Sequence, residues 1–361
     1  MPSPLTKQQT LALATLLILA WSCSSESFGQ ESHYVDVGAV GSFRAKNPES
    51  NHPGSPRPGK GSGKVAKASP EELKRQEVDQ AIKNGNLERD RNNYEQALNY
   101  YRRAEALSPE SAPALYGLGN LYADFHCADA SINYYVKSLK FDPNYLEARV
   151  ALAYSYAKEE QYGKAEEEFA QVLAQEPNDL ATRIGLGLVY AKQGKYEKGI
   201  AEINRVIGTG SSEDQAKAYF ARGDVYFDEE KNWKKAVAGY EAAIKLKPDF
   251  AGAVIKLAFA QLWLSTSTLD FSRIRAGDIE EAEKLRVAAK QATDSINEVI
   301  RRGYTPPGVY ADLGLALAYQ RRFQEAVEHL GLYQEKIDEL RKQMLCAPQV
   351  GAALCRGNCG V

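Results

Sequence analysis

One short pattern recurs along the chain at fixed offsets. YEQALNYYRRAEALSP at 94–109 returns as YGKAEEEFAQVLAQEP at 162–177 and as WKKAVAGYEAAIKLKP at 233–248. Each copy opens with an aromatic, sets Ala three residues on, a second aromatic four after that, and Pro eight further. Steps of three and four place these groups on one face of a helix. Pro then ends the helix, because it has no N–H and its ring clashes with the preceding turn. The fixed offsets therefore predict one helical unit used many times.

Written as 34 positions, the units are 78–111, 112–145, 146–179 and 180–213. A stretched unit follows at 216–250, a distorted one from 251 to about 306, and a last one from 307. Position 8 is small in each: Gly85, Gly119, Ala153, Gly187, Gly223, Ala258 and Gly314. Position 20 is small at Ala97, Ser131, Ala165, Gly199, Ala236 and Ala326, and position 32 is Pro109, Pro143, Pro177 and Pro248. Small residues on facing antiparallel helices allow close approach, while larger groups at positions 4, 7, 11, 17 and 24 fill the seam.

The departures are local. Ser211 replaces the terminal Pro of unit four beside Gly208-Thr209-Gly210, and an extra residue sits near Asn232. Together they suggest a hinge between units four and five. In unit six a first helix over Ala251–Leu264 is expected, followed by the insertion LSTSTLDFSRIRAG at 264–277. Asp278 and Glu281 read as a capping box for a long second helix over about 279–302, ended by Gly303. The insertion is either a lip that touches a partner or a longer surface loop.

These repeats resemble the tetratricopeptide repeat (TPR) family, across about 265 residues. The resemblance implies an all-α fold, a right-handed superhelical solenoid of about seven helix-turn-helix units whose first helices line a concave face. In the family that face is formed mainly by positions 2, 5, 9, 12 and 13. Carried over, these are Tyr116 and Asn120 in unit two, Val150, Tyr154 and Lys158 in unit three, and Ile184, Leu188 and Lys192 in unit four. Unit five adds Lys217, Phe220, Asp224 and Phe227, and unit six Ile255, Phe259 and Trp263.

The resulting stripe is largely apolar and aromatic, larger than the few hundred Å² that a soluble protein usually exposes. Either a partner segment covers it, or the chain's own C-terminal helix or insertion does. TPR proteins that grip acidic C-terminal tails use a clamp of Lys, Asn and Arg, which Lys83, Asn86 and Asn120 echo in part. Glu147 and Ala151 stand where the clamp needs cations, so that mode is rejected. Acidic runs such as Glu166-Glu167-Glu168 fall on second helices and read as a solvated outer face.

Catalytic signatures are missing from the sequence. His33, His52, His126 and His329 are scattered, and no His-Glu-x-x-His, Gly-x-Ser-x-Gly or phosphate-cradling Gly loop occurs. A site built from Asp270, Arg273 and Asp278 in the insertion is the remaining catalytic alternative. The expectation is no catalytic residue, no cofactor and no metal site. A net charge of −2 argues against nucleic acid as a partner.

Lys7 and the apolar run Leu11–Trp21 match a secretory signal, with cleavage near residue 29. Alternatively Ala20-Trp21-Ser22-Cys23 resembles a lipobox, which would make 1–22 the signal and Cys23 an acylation site. Residues 30–69 are rich in Gly, Pro, Ser and Lys and are expected to be a disordered linker. The repeat array then spans 70–345, starting at a helix with Ser69 as N-cap and Pro70 at N1. In the tail 346–361, two of Cys346, Cys355 and Cys359 are expected to pair, with Cys127, five units away, out of reach.

The combined expectation is an exported bacterial TPR protein, periplasmic or envelope-associated, serving as a non-catalytic scaffold for a protein or peptide partner. Membrane contact would come only through a lipid anchor. A self-associating envelope assembly factor using the end units and Cys tail is the alternative, and an unrecognised enzyme acting on envelope polymers the more distant one.

Overall fold

The computed structural model describes residues 69–345 apart from 92, 126, 230, 268 and 270–278. Fourteen α-helices follow one another in consecutive pairs, and no strand occurs among the described residues. The pairs are α1 (Pro70–Asp90) with α2 (Tyr94–Leu107), α3 (Ala112–Asp124) with α4 (Ala128–Phe141), and α5 (Leu146–Lys158) with α6 (Tyr162–Gln175). They continue as α7 (Leu180–Lys192) with α8 (Tyr196–Thr209), α9 (Ser212–Asp224) with α10 (Trp233–Leu246), α11 (Ala251–Ser267) with α12 (Ile279–Arg301), and α13 (Pro307–Tyr319) with α14 (Phe323–Leu345). Residues 69–182 form one compact unit and Arg183–Leu340 another. The expected signal segment, the linker and the Cys-bearing tail lie outside the described residues, as do Cys23, Cys346, Cys355 and Cys359.

The repeat's chemistry is visible in each turn. Where one helix gives way to the next, the position-16 N–H bonds the position-11 carbonyl: Asn93 to Glu88, Cys127 to Tyr122, Gln161 to Tyr156, Lys195 to Tyr190 and Arg322 to Leu317, at 2.8–3.0 Å. The residue before it is left-handed, at Glu160 (φ 55°), Gly194 (φ 77°), Lys231 (φ 53°) and Arg321 (φ 60°). Glycine thus occupies only one of these four sites, although side chains make this conformation costly.

Unit five solves its extra residue inside the helix. Six residues separate Tyr154 from Glu160 and Leu188 from Gly194, but seven separate Asp224 from Lys231. A π-helical turn at Val225–Glu229 takes up the surplus, so the equivalent bond, Asn232 N–H to Tyr226 O at 2.7 Å, spans one residue more. π-turns carry one more residue per hydrogen bond, which is what a single insertion requires. The insertion therefore lies ahead of Asn232, within the first helix of its pair.

Gly208 and Thr209, where a hinge was expected, belong to the end of α8, and Gly210 is its extended C-cap. α8 runs through Thr209, and Ser211 caps α9 in a reciprocal box with Asp214, both N–H bonds at 3.2 Å. In the sixth pair α11 continues to Ser267, three residues beyond the expected end, and α12 ends at Arg301 with Gly303 left-handed (φ 91°).

Small residues at position 8 hold rings at position 24. A methyl added at Gly85 would lie 2.6 Å from Tyr101, at Gly119 2.5 Å from Tyr135, and at Gly223 2.7 Å from Tyr240. Those distances leave no room for Cβ, so glycine here lets a ring lie flat on the facing backbone. Tyr101, Tyr135, Phe169, Phe220 and Tyr240 are among the largest fully buried side chains.

Outer faces are braced by recurrent charged contacts. Arg149 pairs with Glu168 in the first unit and Arg183 with Glu202 in the second, both at 2.7 Å and from the same two repeat positions. Glu168 thus belongs to a brace, whereas the sequence reading left it solvated. Lysines lie over tyrosine rings at Lys164–Tyr156, Lys198–Tyr190 and Lys235–Tyr226, 3.8–5.0 Å from the centroids. Cys127 is disulfide-bonded, which corrects the expectation that it stands clear of the disulfide chemistry.

Candidate functional site

In the first unit the family's inner-face positions hold a mixture of packed and accessible groups. Val150 is buried, with 6% of its surface exposed, and belongs to the core. Tyr116, Asn120 and Tyr154 are half-buried, and Lys158 is exposed. Asn120 is held from behind: Tyr135 donates its O–H to Asn120 Oδ1 at 2.8 Å. Tyr116 packs edge-on against Tyr145 with centroids 5.2 Å apart. Burial pushes the Tyr116 and Tyr154 phenols above their ordinary pKa, so both remain neutral donors.

Tyr154 replaces asparagine at position 9 of its repeat and packs edge-on against Phe169 at 5.0 Å. Its hydroxyl oxygen is shielded yet makes no hydrogen bond. Beside this row Arg89 and Asp124 form a two-pronged ion pair between successive first helices, at 2.5 and 2.9 Å. The asparagines that echo a tail-binding clamp are already engaged, since Tyr101 donates to Asn86 Oδ1 at 2.7 Å as Tyr135 does to Asn120.

In the second unit the apolar stripe is core. Ile184, Phe220, Phe227, Ile255 and Phe259 are all buried, which corrects the expectation of an uncovered apolar groove at these positions. The Phe220 ring meets those of Phe250 at 5.0 Å and Tyr240 at 5.5 Å, both tilted. Phe227 meets Trp233 edge-on at 5.0 Å, and Trp233, Trp263 and Tyr319 continue as a run of ring contacts at 6.3 and 6.1 Å. The chain's own second helices and the following pairs cover these rings, because large side chains on first helices face the seam as well as the inner surface. Leu188, Lys192, Lys217 and Trp263 stay half-buried.

Asp224 differs from its neighbours on this face. It is buried, accepts the Tyr240 O–H at 2.7 Å, and lies 3.8 Å from Lys256 Nζ. Asp228, on the π-turn, lies 4.0 Å from the same ammonium. Burial raises the Asp224 pKa to about 7, with Lys256 offsetting part of the cost. Sequence reading named Asp224 but missed Asp228 and Lys256. Lys256 sits at position 6 of its repeat, outside the inner-face set, and only the packing of α11 on α10 brings it in.

The described end of the insertion, Ser265 and Leu269, faces Glu280, Lys284, Val287 and Gln291 of α12 across an open cleft of about 480 Å³. Asp270, Arg273 and Asp278 lie outside the described residues. Among the described residues no group of three or more His, Cys, Asp or Glu is arranged to hold a metal, and no helix is long and apolar enough to cross a membrane.

Comparison with known proteins places these helix pairs. A family model described as TPR repeat matches residues 85–124, and models described as tetratricopeptide repeat match 156–222 and 216–250. No curated protein matches the sequence. Among solved structures, a tetratricopeptide repeat protein from Parabacteroides merdae is 14% identical, with TM-score 0.52, covering 75% of this chain and 99% of its own. PilW, described as a type IV pilus biogenesis factor, is 13% identical with TM-score 0.50, covering 68% and 98%. YrrB, described as a TPR protein with an unusual peptide-binding site, is 25% identical with TM-score 0.39, covering 48% and 88%. Tetratricopeptide repeat models thus match three segments of the chain, and its repeated helix pairs share the fold of solved tetratricopeptide repeat structures.

Proposed function

We propose that this chain is a non-catalytic scaffold of the cell envelope that holds a partner protein segment on its first-helix face. The contact row is Tyr116, Asn120, Tyr154 and Lys158 in the first unit. One observation carries the reading: in the first unit these accessible groups are pre-positioned rather than loose. Asn120 is fixed by Tyr135, Tyr116 by Tyr145, and Tyr154 by Phe169. Contacts made by groups already held in place lose little entropy on binding. The two tyrosine rings add apolar area at this face.

Placement in the envelope rests on Lys7 and the apolar run Leu11–Trp21. The test is capture from detergent-solubilised envelopes with the full chain and with an Asn120→Leu/Lys158→Glu variant whose helical content is checked by circular dichroism. A protein held by the parent and lost from the folded variant is the expected result. Equal capture by both would overturn the assignment of this row. Capture of untagged copies of the chain itself by both would favour self-association instead.

A further inference from the structure

Position 9 of the seven repeats carries Asn86, Asn120, Tyr154, Leu188, Asp224, Phe259 and Leu315, so the fifth repeat alone places an ionisable acid there. That acid is buried, and its short contact is with a phenol, the Tyr240 O–H at 2.7 Å. Lys256 Nζ stands 3.8 Å from Asp224 and 4.0 Å from Asp228, so one ammonium is shared by two carboxylates at the limit of ion-pair distance from both. The Phe227 ring lies 5.4 Å from the same ammonium. The two acids flank most of the π-turn Val225–Glu229, which exists because this repeat has one residue too many.

We propose that Asp224 is a proton-operated latch of the second unit: protonated, it leaves Lys256 to Asp228 and holds the junction of α9, α10 and α11, and on losing the proton it loosens that junction. The groups facing Asp224 are Lys192 from α7, Asp228 from the π-turn, Tyr240 from α10 and Lys256 from α11. With both acids ionised the four charged groups sum to zero. With Asp224 protonated they sum to +1, and the neutral acid still accepts from Tyr240 through its carbonyl oxygen. Burial supports uptake close to neutrality, since it raises the Asp224 pKa to about 7. An asparagine, as at the equivalent positions of repeats one and two, would accept the same tyrosine bond and have nothing to titrate.

The direction of the linkage follows from the raised value. The folded state holds a proton that the unfolded chain, with a carboxyl pKa of about 3.9, has released. The stabilisation is therefore complete below about pH 4 and is lost as pH rises through about 7. The experiment is urea unfolding of the full chain between pH 5 and 8, followed by Trp233 and Trp263, which both lie in the second unit. Relative to Asp224→Asn, the wild-type unfolding constant should rise towards tenfold per pH unit between pH 5 and 7 and level off above. Identical pH profiles for the two proteins would overturn the proposal. Carbon-13 titration of the Asp224 carboxyl in the wild type gives a second readout that does not depend on the variant, and an ordinary aspartate midpoint there would overturn it equally.

Discussion

Tyr240 donates its phenolic O–H to Asp224 Oδ1 at 2.7 Å, across the helix pair that contains the π-turn Val225–Glu229. The same bond joins Tyr101 to Asn86 and Tyr135 to Asn120, at 2.7 and 2.8 Å. Repeats with Phe169 or Ile203 at the tyrosine's position carry Tyr154 or Leu188 opposite. Positions 9 and 24 are thus chosen together: the position-24 hydroxyl is present where position 9 offers an acceptor and absent where Tyr154 or Leu188 stands there.

Removing the three hydroxyls should have unequal effects. Tyr240→Phe takes the short donor from a buried carboxylate and should cost about 1–3 kcal/mol. Tyr101→Phe leaves Asn86, which is exposed and can turn to water, so about 0.5–1 kcal/mol is expected. Tyr135→Phe should fall between, because Asn120 is half-buried. Urea midpoints for the three variants check the order, and equal losses would contradict this account of the pairing.

Much of the helix pattern was legible because it depends on residue size and backbone chemistry repeated many times. Small position-8 residues, terminal prolines and the Ser69 cap all act locally, and the structure puts each at the helix end or seam that its chemistry requires. The candidate site was less legible. Val150, Ile184, Phe220 and Phe259 lie on the inner-face spacing, yet that spacing cannot say whether the next pair covers a ring. Lys256 was invisible for the same reason, since its role comes from the packing of α11 beside Asp224. The π-turn had a sequence signal, the seven-residue interval from Asp224 to Lys231, which becomes readable once the left-handed residue is used as the marker.

Glycine substitutions should split by contact. Gly119→Ala places Cβ 2.5 Å from the Tyr135 ring, which is buried and cannot swing away, and should cost about 1–3 kcal/mol. Gly163→Ala meets nothing within 4 Å on a helical, exposed position and should gain up to about 1 kcal/mol from helix propensity. Thermal unfolding followed by circular dichroism separates the two signs.

The left-handed turn residues offer a stabilising series. Glu160, Lys231 and Arg321 each hold a positive φ at an exposed position, a conformation costing roughly 1–2 kcal/mol for a residue with a side chain. Glycine removes that cost but loses more entropy on folding, so each substitution should gain about 0.5–1 kcal/mol net. Gly194→Ala should show the reverse sign at the equivalent turn. Combining the three glycine variants should raise the melting temperature additively, because the sites lie in separate repeats and share no partner.

Deletion of one residue tests whether the π-turn is an accommodated surplus. Removing Glu229 restores the six-residue interval between position 9 and the left-handed Lys231, so the first helix of the fifth pair can close with ordinary α-helical bonds. Ser211 at its start and Asn232 beyond its end, which cap α9 and α10, stay in place. Far-ultraviolet circular dichroism should keep its helical signal, and stability should change by no more than about 1 kcal/mol. Removing Ala157 from α5 has no surplus to draw on, because the interval from Tyr154 to Glu160 is already six. That deletion rotates the helix end by about 100° and strips Gln161 of its bond to Tyr156, so a loss above about 3 kcal/mol is expected. Comparable damage from both deletions would mean that the fifth repeat depends on its π-turn.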